Sequence, residues 1–239
     1  MKTEFARYLK NPLYWATLGS GLFARFVMAY FDFRYRSGEF WDLASKFWNK
    51  SGSVTEGFLI LLALIHLLST DREYKTTPVI TSTPCGRKHL FYTRLATGCL
   101  ATGLGVLILA LGNAVISKFW GHSLLHSSQL MIKISISTFV AGMGAIGFFL
   151  FSACVCDILQ NQPAAMCLCG VPFALSYFVN VGVIQKLDFF WMIRYGFFTE
   201  LMRGQLIYSA PVFWAFWYSS LLCGIFAIAK NKRKGRKEL

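Results

Sequence analysis

The chain has 239 residues, of which 55% are hydrophobic, 17% aromatic and only 15% charged. A soluble domain carries roughly 25% charged residues, and here the apolar residues come in blocks as long as a bilayer is thick. This composition excludes an ordinary soluble domain. It predicts an all-α membrane protein in which residues 1–239 form a single transmembrane domain.

The formal net charge is +13, but the positive charge is not spread over a surface that could bind nucleic acid. Six of the 24 basic residues crowd into the tail 230–239, directly after an apolar block. Such a cluster is typical of a cytoplasmic anchor that contacts anionic lipid headgroups. We therefore expect membrane lipid as a partner and no nucleic acid.

The chain opens with a basic, amphipathic segment, residues 1–12, which predicts a short interfacial helix on the cytoplasmic surface. Pro12 then leads into a first span over about 13–31. Arg25 interrupts this span near its outer part, within snorkelling reach of the headgroups. We therefore interpret Arg25 as a possible substrate or lipid contact.

The second span, about 53–71, is weaker, because the uncharged run between Glu56 and Asp71 is short for a bilayer. Residues 53–55 and the interfacial ends complete it. His66 lies inside this span, and an ionisable group there is a functional candidate. The alternatives for His66 are a neutral imidazole bonded to a neighbouring helix, a proton relay, or a substrate or lipid contact.

The four remaining spans are predicted over about 95–117, 134–156, 163–184 and 208–229. Small residues four apart in the third and fourth spans, such as Ala101 and Gly105, or Ala141 and Ala145, would let helices approach closely. Fourteen basic residues fall in the N-terminus, the loop 72–94 and the tail, against nine in the segments assigned outside. That bias predicts a multi-pass protein of the cell membrane with six crossings and both termini in the cytoplasm.

No catalytic or metal constellation emerges from the sequence. It contains no H-E-x-x-H, no phosphate-binding G-x-x-x-x-G-K-[ST] loop and no carboxylate pair inside the spans. His122 and His126 offer two metal ligands without a third, which favours a solvated loop. Ser20 sits between two glycines, where helix packing explains the pattern better than a nucleophile. We therefore expect no enzyme and no cofactor in this chain.

The loop 72–94 is the most informative segment. It is polar at its start and then mildly amphipathic, and Pro78, Pro84 and Gly86 impose turns. Such a loop is too short for a domain, and its composition favours a compact helical element presented to a cytoplasmic partner.

At this loop the chain resembles the membrane permeases of the ABC-2 class of ABC transporters. The resemblance rests on an acidic residue after span two, a small-Thr-Pro-x-x-Arg stretch, a basic residue opening span three, and the aromatic-rich opening of the chain. These features are Glu73; Ser82, Thr83, Pro84, Gly86 and Arg87; Arg94; and Asn11, Pro12, Leu13, Tyr30 and Asp32. One departure is Arg94, where lysine is commoner in the family.

The resemblance implies a type V exporter-like fold, a second permease protomer (as a homodimer or a heterodimer), and a separate ABC ATPase that carries ATP and Mg. The loop would then form the helix that couples ATP hydrolysis to the spans. The coupling residues implied are Glu73, Thr76, Thr77, Pro84, Gly86 and Arg87. The small size is similar to permeases of lantibiotic and bacteriocin self-immunity, which implies alternating-access export of an amphipathic peptide.

Other functions stay open at this point. An intramembrane enzyme would need a reactive cluster within the spans. A transporter that works without ATP would use intramembrane charges, for which Arg25 and His66 are the candidates, and a regulatory membrane subunit would need neither.

Overall fold

The structure is a computed structural model, and it describes residues 5–6, 9–36, 47–62, 86–120, 128–159, 162–178, 199–204, 219, 221–222 and 224–226. Within these ranges the chain is helical apart from short turns, and no strand occurs in them. The all-α prediction is therefore confirmed for the described part of the chain.

Six α-helices and one π-helical turn organise these ranges. They are α1 (Pro12–Arg36), a π-helical turn (Trp48–Gly52) that runs directly into α2 (Ser53–Leu62), α3 (Gly86–Trp120), α4 (Ser128–Leu159), α5 (Gln162–Phe178) and the short α6 (Thr199–Met202).

Helix α1 begins where the sequence predicts, at Pro12. The side-chain oxygen of Asn11 accepts a hydrogen bond from the amide of Leu13 at 3.0 Å, and so satisfies one amide that has no partner within the helix. Proline suits the first helical position because its missing amide proton is not needed there.

The segment before α1 rests on the protein. Phe5 and Leu9 pack against the hydrophobic core, and the Trp15 indole donates a hydrogen bond to the Leu9 carbonyl at 2.7 Å. The apolar face that the sequence assigned to the lipid interface is thus shared with the helix bundle.

Helices α1 and α3 run in the same direction. The Tyr14 hydroxyl, near the start of α1, donates to the Ala101 carbonyl at 3.0 Å, and the Tyr30 ring, near its end, meets the Trp120 ring at 5.3 Å. Since both contacts advance together along the two helices, Pro12 and Gly86 lie at the same end of the molecule. The chain must therefore cross back between them.

The π-helical turn and α2 make that return. Phe47 lies beside Arg25 in the C-terminal half of α1, whereas Thr55 packs on Gly21. Helix α4 is likewise antiparallel to α3, because Gly98 meets Phe149 whereas Val106 approaches Gly142. Consecutive helices therefore alternate in direction.

Close helix contacts depend on small residues, as the sequence predicts. Ala101, Ala141 and Ala145 are almost fully buried. A Cβ added to Gly98 would run into the Phe149 ring. The interior at these points is packed backbone against side chain, which is the arrangement that favours helix association where lipid surrounds a protein.

Two helices are long and apolar enough to cross a membrane, namely Tyr92–Trp120 within α3 and Met131–Cys156 within α4. The most apolar stretch of the α3 segment is only 33% buried. Its outward side carries large apolar residues, including Leu107, Leu111 and Phe119, that are more than half exposed. A core helix of a soluble protein would hide these side chains, so this surface fits a lipid environment.

The observed helix ends adjust the predicted boundaries. Helix α3 begins at Gly86, so residues 86–94, assigned to the coupling loop, already belong to the helix that continues into the third span. Helix α1 extends to Arg36, five residues beyond the predicted end of the first span. The predicted span 208–229 and the tail 230–239 lie largely or wholly outside the described residues.

Candidate functional site

Polar and charged side chains line part of the interior where α1, α2 and α3 meet. Those buried on these elements and on the preceding π-helical turn are Arg25, Ser51, Ser53, Thr55, Glu56, Thr97, Thr102, Asn113 and Ser117. Burial of polar groups is costly unless they find partners. This polar interior is therefore the part of the described structure that most needs a functional or structural explanation.

Arg25 lies in a polar pocket between α1 and α3. Its side chain is 1% exposed. Its Nε donates to Asn113 Oδ1 at 2.9 Å, and its Nη2 donates to Ser117 Oγ at 3.3 Å. The guanidinium carbon lies 5.9 Å from the centre of the Phe47 ring, within cation–π range.

This geometry corrects one reading of Arg25. The sequence allowed a lipid contact by snorkelling, but the side chain turns inward and is held by Asn113 and Ser117. Inside a helix bundle, fixed acceptors replace the water that a snorkelling guanidinium would otherwise seek. A substrate contact of Arg25 stays a prediction.

Glu56, on the first turn of α2, is the second buried charge, and its environment differs. Its side chain is 1% exposed, and neither carboxyl oxygen has a hydrogen-bond partner in the structure. Oε1 lies 3.2 Å from the point that a Cβ would occupy on Gly105 of α3. The absence of a side chain at Gly105 leaves the space into which the carboxyl group fits.

The Tyr14 hydroxyl approaches the same point, 3.6 Å from it. Because this hydroxyl already donates its proton to the Ala101 carbonyl, it faces the carboxyl group without donating to it. Three helices thus contribute to one small site, with Tyr14 from α1, Glu56 from α2 and Gly105 from α3.

The depth of this site follows from α3. At about 1.5 Å rise per residue, Gly105 lies about 20 Å from Tyr92 and about 22 Å from Trp120. Those two residues bound the apolar segment that is long enough to cross a membrane. The Glu56 carboxyl therefore lies beside the middle of that segment of α3 and level with the first turn of α1, which carries Tyr14.

Glu56 is the functional candidate that sequence reasoning missed. In the sequence, Glu56 marks the boundary of a short apolar run, and only residues 53–55 complete the predicted span. Helical spacing holds the missing signal, because Glu56 shares its helix face with Leu59 and Ile60, three and four residues on, and both are fully buried.

Most predicted coupling residues fall outside the described ranges. His66, Glu73, Thr76, Thr77 and Pro84 all do so. Gly86 and Arg87 form the start of α3, where the backbone is helical. The structure therefore fixes only the helix into which the predicted coupling element leads.

Two further interpretations of the sequence concern Ser20 with its flanking glycines and the possible metal ligands. Ser20 is exposed and donates to the Thr17 carbonyl at 2.9 Å, whereas Gly21 beside it packs against Thr55. The packing explanation is therefore confirmed at Gly21. Among the described residues no three His, Cys, Asp or Glu side chains gather as metal ligands. His122 and His126 lie outside the described part of the chain.

Comparison of the chain with protein-family models, with curated proteins and with solved structures finds no match.

Proposed function

We propose that this chain is the membrane-spanning permease subunit of an ATP-driven exporter, built from several helices that cross the bilayer with alternating direction. The observation that carries the proposal is a bundle with large apolar side chains on its outer surface and charged side chains buried within a mostly apolar core. Helix α3 exposes large apolar side chains outward, whereas Arg25, Glu56 and Asn113 are buried inward. Soluble helical bundles have the opposite distribution, and intramembrane charges mark the paths of substrates or ions.

The direction of the helices supports the topological part of the proposal. Pro12 and Gly86 lie at one end of the molecule, so the basic N-terminal segment and the basic start of α3 share a side. An excess of Lys and Arg on one side is the usual mark of the cytoplasmic face. The loop before α3 would then face the cytoplasm, where an ATPase could dock.

The ATP-driven part rests on the resemblance of the loop 72–94 to the coupling segment of ABC-2 permeases. Glu73 and Arg87 would contact the ATPase, and α3 would carry the motion inward as one continuous helix of 35 residues. The substrate class proposed is an amphipathic peptide, such as a bacteriocin, that enters from the bilayer. A second permease protomer would complete the path.

The proposal is tested by ATP hydrolysis of the reconstituted complex of this chain with an ABC ATPase that co-purifies with it. We expect Glu73→Gln and Arg87→Gln to lower the hydrolysis stimulated by a cationic amphipathic peptide severalfold. Lys118→Gln is the matched control, because Lys118 is exposed in the last turn of the same helix, at the opposite end from Arg87.

Two results would contradict this function. One is full stimulated hydrolysis in both loop variants. The other is labelling of a cysteine placed at Thr83 by an impermeant thiol reagent added to the outside of intact cells, in a background without the native cysteines.

A second candidate is a transporter that works without ATP, and Glu56 is the observation that favours it. A buried carboxyl group deep in a bundle is a common feature of ion-coupled transport. Proteoliposomes that hold this chain alone discriminate the two functions. Peptide transport driven by a pH gradient without any ATPase would support the second candidate.

A further inference from the structure

The Glu56 carboxyl occupies a position in which an ionised form has little support. Its side chain is 1% exposed, and neither oxygen receives a hydrogen bond. An ionised carboxylate moved out of water needs a countercharge or several donors, whereas a protonated carboxyl group is far less costly to bury. The local structure therefore matches the uncharged species.

Among the described residues, the helices packed around Glu56 supply no positive charge at the site. Helix α1 presents the Tyr14 hydroxyl, whose proton is engaged with the Ala101 carbonyl. Helix α3 presents Gly105, which has no side chain, and a Cβ at Gly57 on α2 itself would run into the Phe173 ring of α5. Arg25, the described buried cation of α1, is bonded to Asn113, about 12 Å farther along α3 than Gly105.

Two nearby hydroxyl groups can donate or accept hydrogen bonds at the site without adding charge. Thr102 lies one turn before Gly105 on α3, is fully buried, and its Oγ1 makes no hydrogen bond in the structure. Ser53, one turn before Glu56 on α2, shares both properties. Hydroxyl groups both donate and accept, so they can follow a carboxyl group that changes its protonation state.

We propose that Glu56 is an exchangeable proton-binding site in the interior of this protein. The carboxylate takes up one proton to form the neutral carboxyl group that the packed helices enclose. It returns the proton to water when α1, α2 and α3 separate at Gly105. The step is a simple association of one proton with one carboxylate oxygen, and it requires neither ATP nor a partner subunit.

Infrared spectroscopy of the purified chain in a detergent without carbonyl groups tests the site directly, because phospholipid esters would absorb close to the band of a protonated carboxyl group. A protonated carboxyl group in an apolar setting has a C=O stretching band that is separate from the carboxylate bands. We expect this band at neutral pH in the native protein and a shift to lower frequency after transfer to D2O. Glu56→Gln should abolish the band, whereas Glu238→Gln, the same change in the basic tail, should leave it unchanged.

A second variant keeps the test informative if Glu56→Gln fails to fold. Tyr14→Phe removes the hydroxyl that faces the carboxyl group, so the band should persist and change frequency. The proposal is overturned if folded Glu56→Gln protein retains the whole band. It is equally overturned if the native band never shifts in D2O, since the proton would then be a fixed part of the structure.

Discussion

Arg25 of α1 and Glu56 of α2 are both buried, and they meet α3 at Asn113 and Gly105, two points about 12 Å apart along that helix. Their surroundings differ. Arg25 is enclosed by an amide oxygen, a hydroxyl and an aromatic ring. Glu56 is equally buried, yet its two oxygens have no hydrogen-bond partner. Burial alone therefore does not reveal the role of a charge inside a helix bundle.

The difference teaches how to divide structural from functional charge. A charge whose partners are all in place stabilises one arrangement of helices and resists change. A charge without partners gains little from the arrangement observed, so it is free to bind something else or to favour another state. By this criterion Arg25 stabilises the packing of α1 against α3. Glu56 is the site at which binding, for example of a proton, can favour another arrangement of the helices.

The largest loss of stability is expected when a hydrogen-bond partner of Arg25 is removed from its polar pocket. Asn113→Ala removes the oxygen that accepts from Nε and leaves a buried guanidinium short of an acceptor, so we expect a loss of about 2 kcal/mol in unfolding free energy. Thermal or denaturant unfolding in detergent measures it. In the double variant Arg25→Met with Asn113→Ala most of the loss should be recovered, because no charge is left behind. Additive losses would show that the two side chains do not act together.

A smaller loss of stability is expected when a side chain is added between α1 and α3 close to the Arg25 pocket. A Cβ on Gly112 would run into the side chain of Leu22, so Gly112→Ala should cost about 1 kcal/mol, the low end for overpacking, since a leucine methyl can shift. Gly103→Ala is the control on the same helix, because nothing lies within 4 Å of its added Cβ. There the gain in helix propensity should raise stability by about 0.5–1 kcal/mol. Equal shifts in melting temperature for both variants would argue against a close α1–α3 contact.

The smallest expected effect concerns Glu56 itself. Glu56→Leu replaces an unpartnered carboxyl group with an apolar side chain and leaves no group unpaired, so the unfolding free energy should stay within about 0.5 kcal/mol of the native value or rise. The same unfolding measurement tests it beside Asn113→Ala. A loss as large as that of Asn113→Ala would mean that Glu56, too, is a structural charge.

The sequence predicted several features that the described structure contains. Pro12 and Asn11 predicted the start of α1, and the small residues of the third and fourth spans predicted buried helix contacts. These features depend on neighbours along the chain or on a repeat of a few residues, and a single sequence carries such information. The place of Trp48 was not predicted, since it lies between the first two predicted spans. Its side chain is buried, and its indole donates to Thr138 at 3.1 Å.

The two buried charges of the candidate site also differ in whether the sequence revealed them. Arg25 was recognised because a charge inside a long apolar run is conspicuous, whereas Glu56 was missed because it stands at the edge of such a run. The partners of Arg25 are 88 and 92 residues away in sequence. No local pattern could have paired them.

The amino-acid sequence by itself determined the helical, lipid-compatible character of this protein and the start of α1, since these depend on local composition and on residues within one helical turn. Only the tertiary structure decided that Arg25 turns inward and that Glu56 lies opposite Gly105. Both outcomes depend on which helices meet and at what height. That choice is made by packing between segments far apart in the chain.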